Sequence, residues 1–155
     1  MIRVGIIGGG VVGAAHANVF RHYCDVKVYD LEPSRSSHSF GDTAQQDVLL
    51  LCLPTPMRKD GTVDPGAILN AMCAIRAERV CPKAVVLKST LPPAQLLEID
   101  AKYLDCTSFI YSPEFLTDRS AEYDLQQSTR FIFGERSCSP VGYHAVEELF
   151  DKRWC

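Results

Sequence analysis

Three glycines and an aspartate near the start of the chain have the spacing to hold a phosphate-rich ligand. Gly8, Gly10 and Gly13 stand in GxGxxG spacing within "GIIGGGVVG". The apolar run before them reads as a strand and the residues from Val11 onward as a helix, which is the context the pattern requires. There Gly8 permits a tight turn, Gly10 lets a pyrophosphate approach the backbone, and Gly13 lets the helix pack closely on the strand. The pyrophosphate is expected over Gly10, Val11 and Val12, where a helix start offers free N–H groups and a partial positive charge. Asp30 ends the next predicted strand, 17 residues after Gly13, close to where an acidic side chain meets ribose hydroxyls. A dinucleotide is therefore expected, and NAD over NADP, because Asp30 would repel a 2′-phosphate. Arg35 is the nearby residue that could instead accommodate that phosphate. The competing reading is a glycine-rich turn with no ligand.

Polar residues recur at the ends of later strands. Thr55 follows "LCLP", Lys88, Ser89 and Thr90 close "VVLKST", and Glu114 follows "IYSP". Taken singly, these are a proline-rich turn, a Ser-Thr helix start and a loop carboxylate. In an open parallel sheet, however, ligands lie beyond the carboxyl ends of the strands. Three successive strands would deliver these groups to one edge, with Thr55, Ser89 and Thr90 placed to touch the cofactor. Glu114 lies between Pro113 and Phe115, which are expected to fix its backbone and remove water from one side. A carboxylate so placed suits acid–base work.

The elements that must carry these groups alternate along the chain. Strands are predicted at "IRVGIIG", "DVKVYD", "DVLLLCLP", "AVVLKST", "TSFIYS" and "TRFIFG". Helices are predicted from Val11 to Tyr23 and from about Pro93 to Tyr103. Another follows an N-cap at Asp64, with Ile68, Met72, Ile75 and Arg79 on one side, and a last one opens at Pro140. This βαβα order predicts an α/β fold, a doubly wound parallel sheet of Rossmann-like type, over residues 1–155 as a single domain. Residues 31–46, rich in Ser and Gln, show no helical pattern, so the crossover after the second strand is expected to be short.

Composition narrows the field. Hydrophobic residues make up 46% and charged ones 23%, a globular balance, and the net charge of -3 gives no reason to expect nucleic acid or an anionic membrane as partner. No apolar run approaches the roughly 20 residues of a membrane span. The 7 cysteines are irregularly spaced without a CxxC pair, so no metal site is expected. Most sit among apolar residues and read as reduced, which fits a cytoplasmic location.

The blocks "GIIGGGVVG", "LCLPTPMRKDGTVD", "LKSTLPP", "SPEFLTDRSAEYDL" and "RFIFG" come in the order seen in nucleotide-sugar 6-dehydrogenases of the UDP-glucose/GDP-mannose type, and the chain resembles that family from Met1 to Gly134. The resemblance implies NAD-dependent, two-step oxidation of a sugar C6 alcohol to a carboxylate, with a UDP- or GDP-sugar as substrate. It also implies roles for two residues. Glu114 would act in acid–base chemistry on a thioester, and Thr90 would position a water. The family's catalytic cysteine, in a glycine-rich segment of a C-terminal domain, has no counterpart here: Cys138 lies in "RSCSPVG" and Cys155 is terminal. The family's C-terminal domains are thus expected to be absent. Two other readings remain open. One is a stand-alone or partner-dependent dinucleotide-binding module, as a homodimer or beside a second subunit. The other is a simpler two-electron dehydrogenase sharing only the fold.

Overall fold

Val48, Leu49, Leu50 and Leu51 have no exposed surface. An extended chain turns successive side chains to opposite faces, so a run buried at every position must be covered on both sides. Burying one such side chain is worth roughly 1.5–3 kcal/mol. This segment is the centre of the fold. The computed structural model describes residues 1–103, 107–135 and 139–151. Its elements run β1 (Arg3–Ile7), α1 (Val11–Phe20), β2 (Asp25–Tyr29), a 3-10 turn (Pro33–Arg35), α2 (Phe40–Ala44), β3 (Val48–Leu51) and α3 (Gly66–Ala77). They continue with β4 (Ala84–Leu87), α4 (Pro93–Tyr103), β5 (Ser108–Tyr111), α5 (Ala121–Gln127), β6 (Gly134–Glu135) and α6 (Pro140–Asp151).

The sheet order is β2-β1-β3-β4-β5-β6, with the first five strands parallel. Val4, Ile6, Val48, Leu50, Val86 and Ile110 face α1, α5 and α6. Ile7, Leu49, Leu51, Val85, Leu87 and Phe109 face α3 and α4. The expected doubly wound sheet is therefore present. The chain leaves β1 for β2 on one side and returns for β3 on the other. The switch point beyond the carboxyl ends of β1 and β3 is where such sheets bind ligands.

Four local expectations need correction. "TRFIFG" does not form a parallel strand: β6 comprises only Gly134 and Glu135, and pairs antiparallel with Ile110 and Tyr111. Phe131 and Phe133 instead turn toward α6, with ring centroids 4.7 and 5.3 Å from that of Phe150. That cluster outweighs the ladder. Arg79 lies beyond α3, in left-handed backbone with φ 54°. Residues 31–46 do give a short crossover, but it contains a five-residue α2, whose start is capped by the Ser39 hydroxyl accepting from the Asp42 N–H at 3.1 Å. At α3 the cap position is Pro65 rather than the expected Asp64, which lies one residue earlier with its carboxylate accepting from the Gly66 N–H at 3.0 Å.

At the amino ends of the strands one carboxylate joins three of them. Asp47 accepts from the Arg3 backbone N–H and Nε, both at 3.0 Å, and lies 3.6 Å from the Lys83 ammonium. Arg3 holds the Asp47 carboxyl below its ordinary range by hydrogen bonding.

Candidate dinucleotide and acid–base site

The loop between β1 and α1 has a shape that side chains would forbid. Gly8 has φ +104°, and a Cβ there would meet the Cys52 carbonyl oxygen at 2.2 Å. A Cβ on Gly13 would lie 1.8 Å from the Gly8 carbonyl oxygen. Both positions require glycine for close packing. Gly10 differs, since a Cβ there would meet nothing within 4 Å. Its backbone borders open space in front of the start of α1, which is where a pyrophosphate would approach.

That space belongs to a cleft of about 680 Å³ over the switch point. Gly8, Gly10, Val11, Val12, Asp30, Arg35, Lys88 and Ser89 line it, with Cys52, Leu53 and Pro54 at the end of β3. The Asp30 carboxylate accepts from the Gly9 N–H at 2.6 Å and from the Glu32 N–H at 2.8 Å, so the loop fixes its direction. The Ser89 hydroxyl accepts from the Leu53 N–H at 2.9 Å and donates to the Leu53 carbonyl at 2.6 Å, tying the ends of β3 and β4 together. Gly13 contributes packing rather than surface. Thr55 is half-buried and does not line the cleft. These residues fit a bound dinucleotide: bare backbone at a helix start for phosphates, and an oriented carboxylate for ribose.

Glu114 is shielded differently from the expectation. Phe115 is 72% exposed and does not cover it. The carboxylate itself turns inward, leaving its side chain 13% exposed. Its Oε2 lies 3.1 Å from the Lys88 ammonium and 3.3 Å from Nε2 of His16. Lys88 is buried and also donates to the Ser112 hydroxyl at 3.1 Å. Burial pushes the Lys88 ammonium below its ordinary range, and the neighbouring Glu114 carboxylate opposes that shift. Thr90 is exposed and, among the described residues, makes no hydrogen bond to Glu114. Glu114 also borders a smaller hollow of about 220 Å³ with Phe115, Arg130 and Phe131. Lys88 thus stands between two spaces, lining the large cleft and holding the carboxylate of the small one.

His16 is the residue that sequence reasoning missed, and Lys88 was placed at the strand ends without a role of its own. Lys88 carried a signal, as a charge ending a strand otherwise buried throughout. His16 sits one turn beyond Gly13 on an apolar helix face, where packing alone would explain it. Among the described cysteines, Cys24, Cys52 and Cys73 form no disulfide and Cys81 is disulfide-bonded, against the expectation of a reduced cysteine for that one residue. Cys52 borders the cleft, but burial pushes its thiol up to about 12. Cys138 and Cys155 lie outside the described residues. Among the described residues there is no cluster of metal ligands, and no helix is long and apolar enough to cross a membrane.

Fold and cleft together define a doubly wound dinucleotide-binding domain. Residues 31–153 match the UDP-glucose/GDP-mannose dehydrogenase family, NAD binding domain, so the chain belongs to that family and its cofactor is NAD. The UDP-glucose 6-dehydrogenase AglM of Haloferax volcanii is 24% identical over 137 residues, covering 81% of this chain and 31% of the relative. A UDP-glucose dehydrogenase from Pyrobaculum islandicum superposes with TM-score 0.75 at 25% identity, over 97% of this chain and 43% of that one. A GDP-mannose dehydrogenase from Pseudomonas aeruginosa does so with TM-score 0.78 at 20% identity, over 97% and 44%, a likeness of fold. The chain spans about a third of the AglM length and under half of each of these two structures.

Proposed function

We propose that residues 1–155 form one NAD-binding domain serving a nucleotide-sugar 6-dehydrogenase. In the complete enzyme a UDP- or GDP-sugar would be oxidised at its C6 alcohol to the carboxylate. NAD would accept hydride there; this chain's residues bind, orient and move protons. Gly10, Val11 and Val12 would hold the pyrophosphate and Asp30 the adenosine ribose, with Ser89 and Thr55 at the strand ends. Glu114 would exchange protons beside the sugar, and Thr90 would place a water. The observation that carries this reading is the Glu114–Lys88 pair at 3.1 Å, set directly beside the cleft. A buried lysine that lines the cleft and holds a carboxylate is more than a phosphate cradle alone needs. The cytoplasm is the compartment that suits this activity, and a cysteine from another domain or subunit would complete it.

A second reading is a dinucleotide-binding module without catalysis of its own. The observation that favours it is the Cys52 thiol, which burial holds at about 12 and so keeps from acting as a thiolate.

Glu114→Gln separates the two. It keeps the shape of the side chain and removes the exchangeable proton. In the longest reading frame that contains this chain, turnover of a UDP- or GDP-sugar should fall roughly 10²-fold, the usual scale for losing a general acid or base. NAD affinity by calorimetry should barely change. Unchanged turnover would leave Glu114 as a loop carboxylate and remove its catalytic role.

A further inference from the structure

Glu114 is held from a second side by a helix whose first turn belongs to the cofactor loop. His16, on α1, has no exposed surface. Its Nδ1 lies 2.8 Å from the Val12 carbonyl oxygen. A carbonyl only accepts, so Nδ1 must carry a hydrogen. In a neutral ring Nε2 would then be a bare lone pair. Yet Nε2 lies 3.3 Å from the carboxylate oxygen Oε2 of Glu114, off the line of a good hydrogen bond but within ion-pair range. Two acceptors at that distance, shielded from water, repel each other unless a proton lies with one of them. Imidazole is the stronger base of the two, by about two pH units in their ordinary forms.

We propose that His16 is a positioning residue for Glu114, standing as an imidazolium that shares the carboxylate with Lys88 and ties it to the α1 backbone at Val12. Its bearing on turnover rests on the catalytic reading of Glu114; its existence does not. The surroundings support a charged ring. From the segment after β5 comes Glu114, from the end of β4 Lys88, and from the end of β3 the Cys52 thiol, which burial keeps uncharged. The aromatic neighbours are Phe20 on the same helix and Phe150 on α6, both meeting the ring edge-on. On α5, Glu122 accepts from Asn18 and Asp124 from the Thr117 backbone N–H, so both are engaged elsewhere. Among the described residues, Glu114 lies within ion-pair range of the imidazole. Burial and the Lys88 ammonium both oppose a charge on the ring, and the Glu114 carboxylate at 3.3 Å is what favours it. Val12 lines the large cleft, so the same helical turn borders the cofactor and holds the imidazole.

The test uses the 155-residue chain itself, with nitrogen-labelled histidine and NMR. At neutral pH the His16 ring should show two N–H groups, on Nδ1 and Nε2. In Glu114→Gln the titration midpoint of His16 should fall by about one unit or more, a tenfold loss of proton affinity, because its counter-ion is gone. A merely packed histidine would titrate alike in both proteins, and that result would overturn the proposal. Should the variant not fold, the wild-type spectrum decides: a single N–H on Nδ1 at neutral pH overturns it equally. Neither outcome depends on turnover, so this inference and the catalytic reading of Glu114 fail separately.

Discussion

Asp30 shows how a single side chain can be committed before any ligand arrives. Both of its oxygens accept backbone N–H groups, from Gly9 and Glu32, so the loop and the carboxylate orient each other. Asp30→Ala removes the ribose partner and the 2′-phosphate repulsion together. NAD affinity should fall by about 10- to 100-fold, the scale of a charge-assisted hydrogen bond, while NADP gains relative to NAD. Calorimetry with both nucleotides checks this, and a wild type that binds neither would end the cofactor assignment to this loop. The glycines and Asp30 were readable in the sequence because their chemistry is local: a turn, a helix start and a strand end. The Lys88–Glu114–His16 contact was not. It joins residues from three separated segments, and no local pattern records that Glu114 turns inward while Phe115 turns out. Proline and an aromatic on either side suggested the reverse.

At the level of elements, the parallel strands were readable as β-branched and leucine runs, and β3 as a run buried on both faces. β6 was not. "TRFIFG" has the composition of a strand, but Phe131 and Phe133 gain more by packing on Phe150 than by lengthening a ladder. The amino-end junction of β1, β3 and β4 gives a pH-dependent expectation. Asp47 titrates below its ordinary range because Arg3 binds its charged form. A carboxylate depressed on folding contributes stability that is present above its unfolded pKa of about 3.9 and is lost as pH falls through the folded value. The urea midpoint should therefore hold steady from neutral pH to about 5 and decline below about 4. In Asp47→Asn the acid decline should be shallower, with the remainder due to other depressed carboxyls such as Asp42 and Asp64. An identical acid slope in wild type and variant would show that this junction is not linked to folding.

For the whole molecule, binding and turnover should come apart. The chain carries a cleft for NAD, yet Cys52, the described cysteine beside that cleft, has a thiol pushed up to about 12. A covalent route to the carboxylate needs a thiolate near the sugar. The purified 155-residue chain should bind NAD but not release two NADH per UDP-glucose. Steady production at that ratio, followed at the NADH absorbance, would contradict this. The serine-rich crossover after β2 has a consequence of another kind. β2 is the outermost strand of the sheet, and Val28 turns its backbone groups away from β1. Its carbonyl accepts from the Ser37 and His38 N–H groups at 2.9 and 3.1 Å, and its N–H donates to the Ser37 hydroxyl at 3.1 Å. One residue pair further on, the Asp30 N–H donates to the Ser36 hydroxyl at 2.7 Å. An open strand edge is a template on which a second chain can add a strand and start an aggregate. The stretch that looked least structured in the sequence works as a hem along that border, occupying the backbone groups that a neighbouring molecule would otherwise use to extend the sheet.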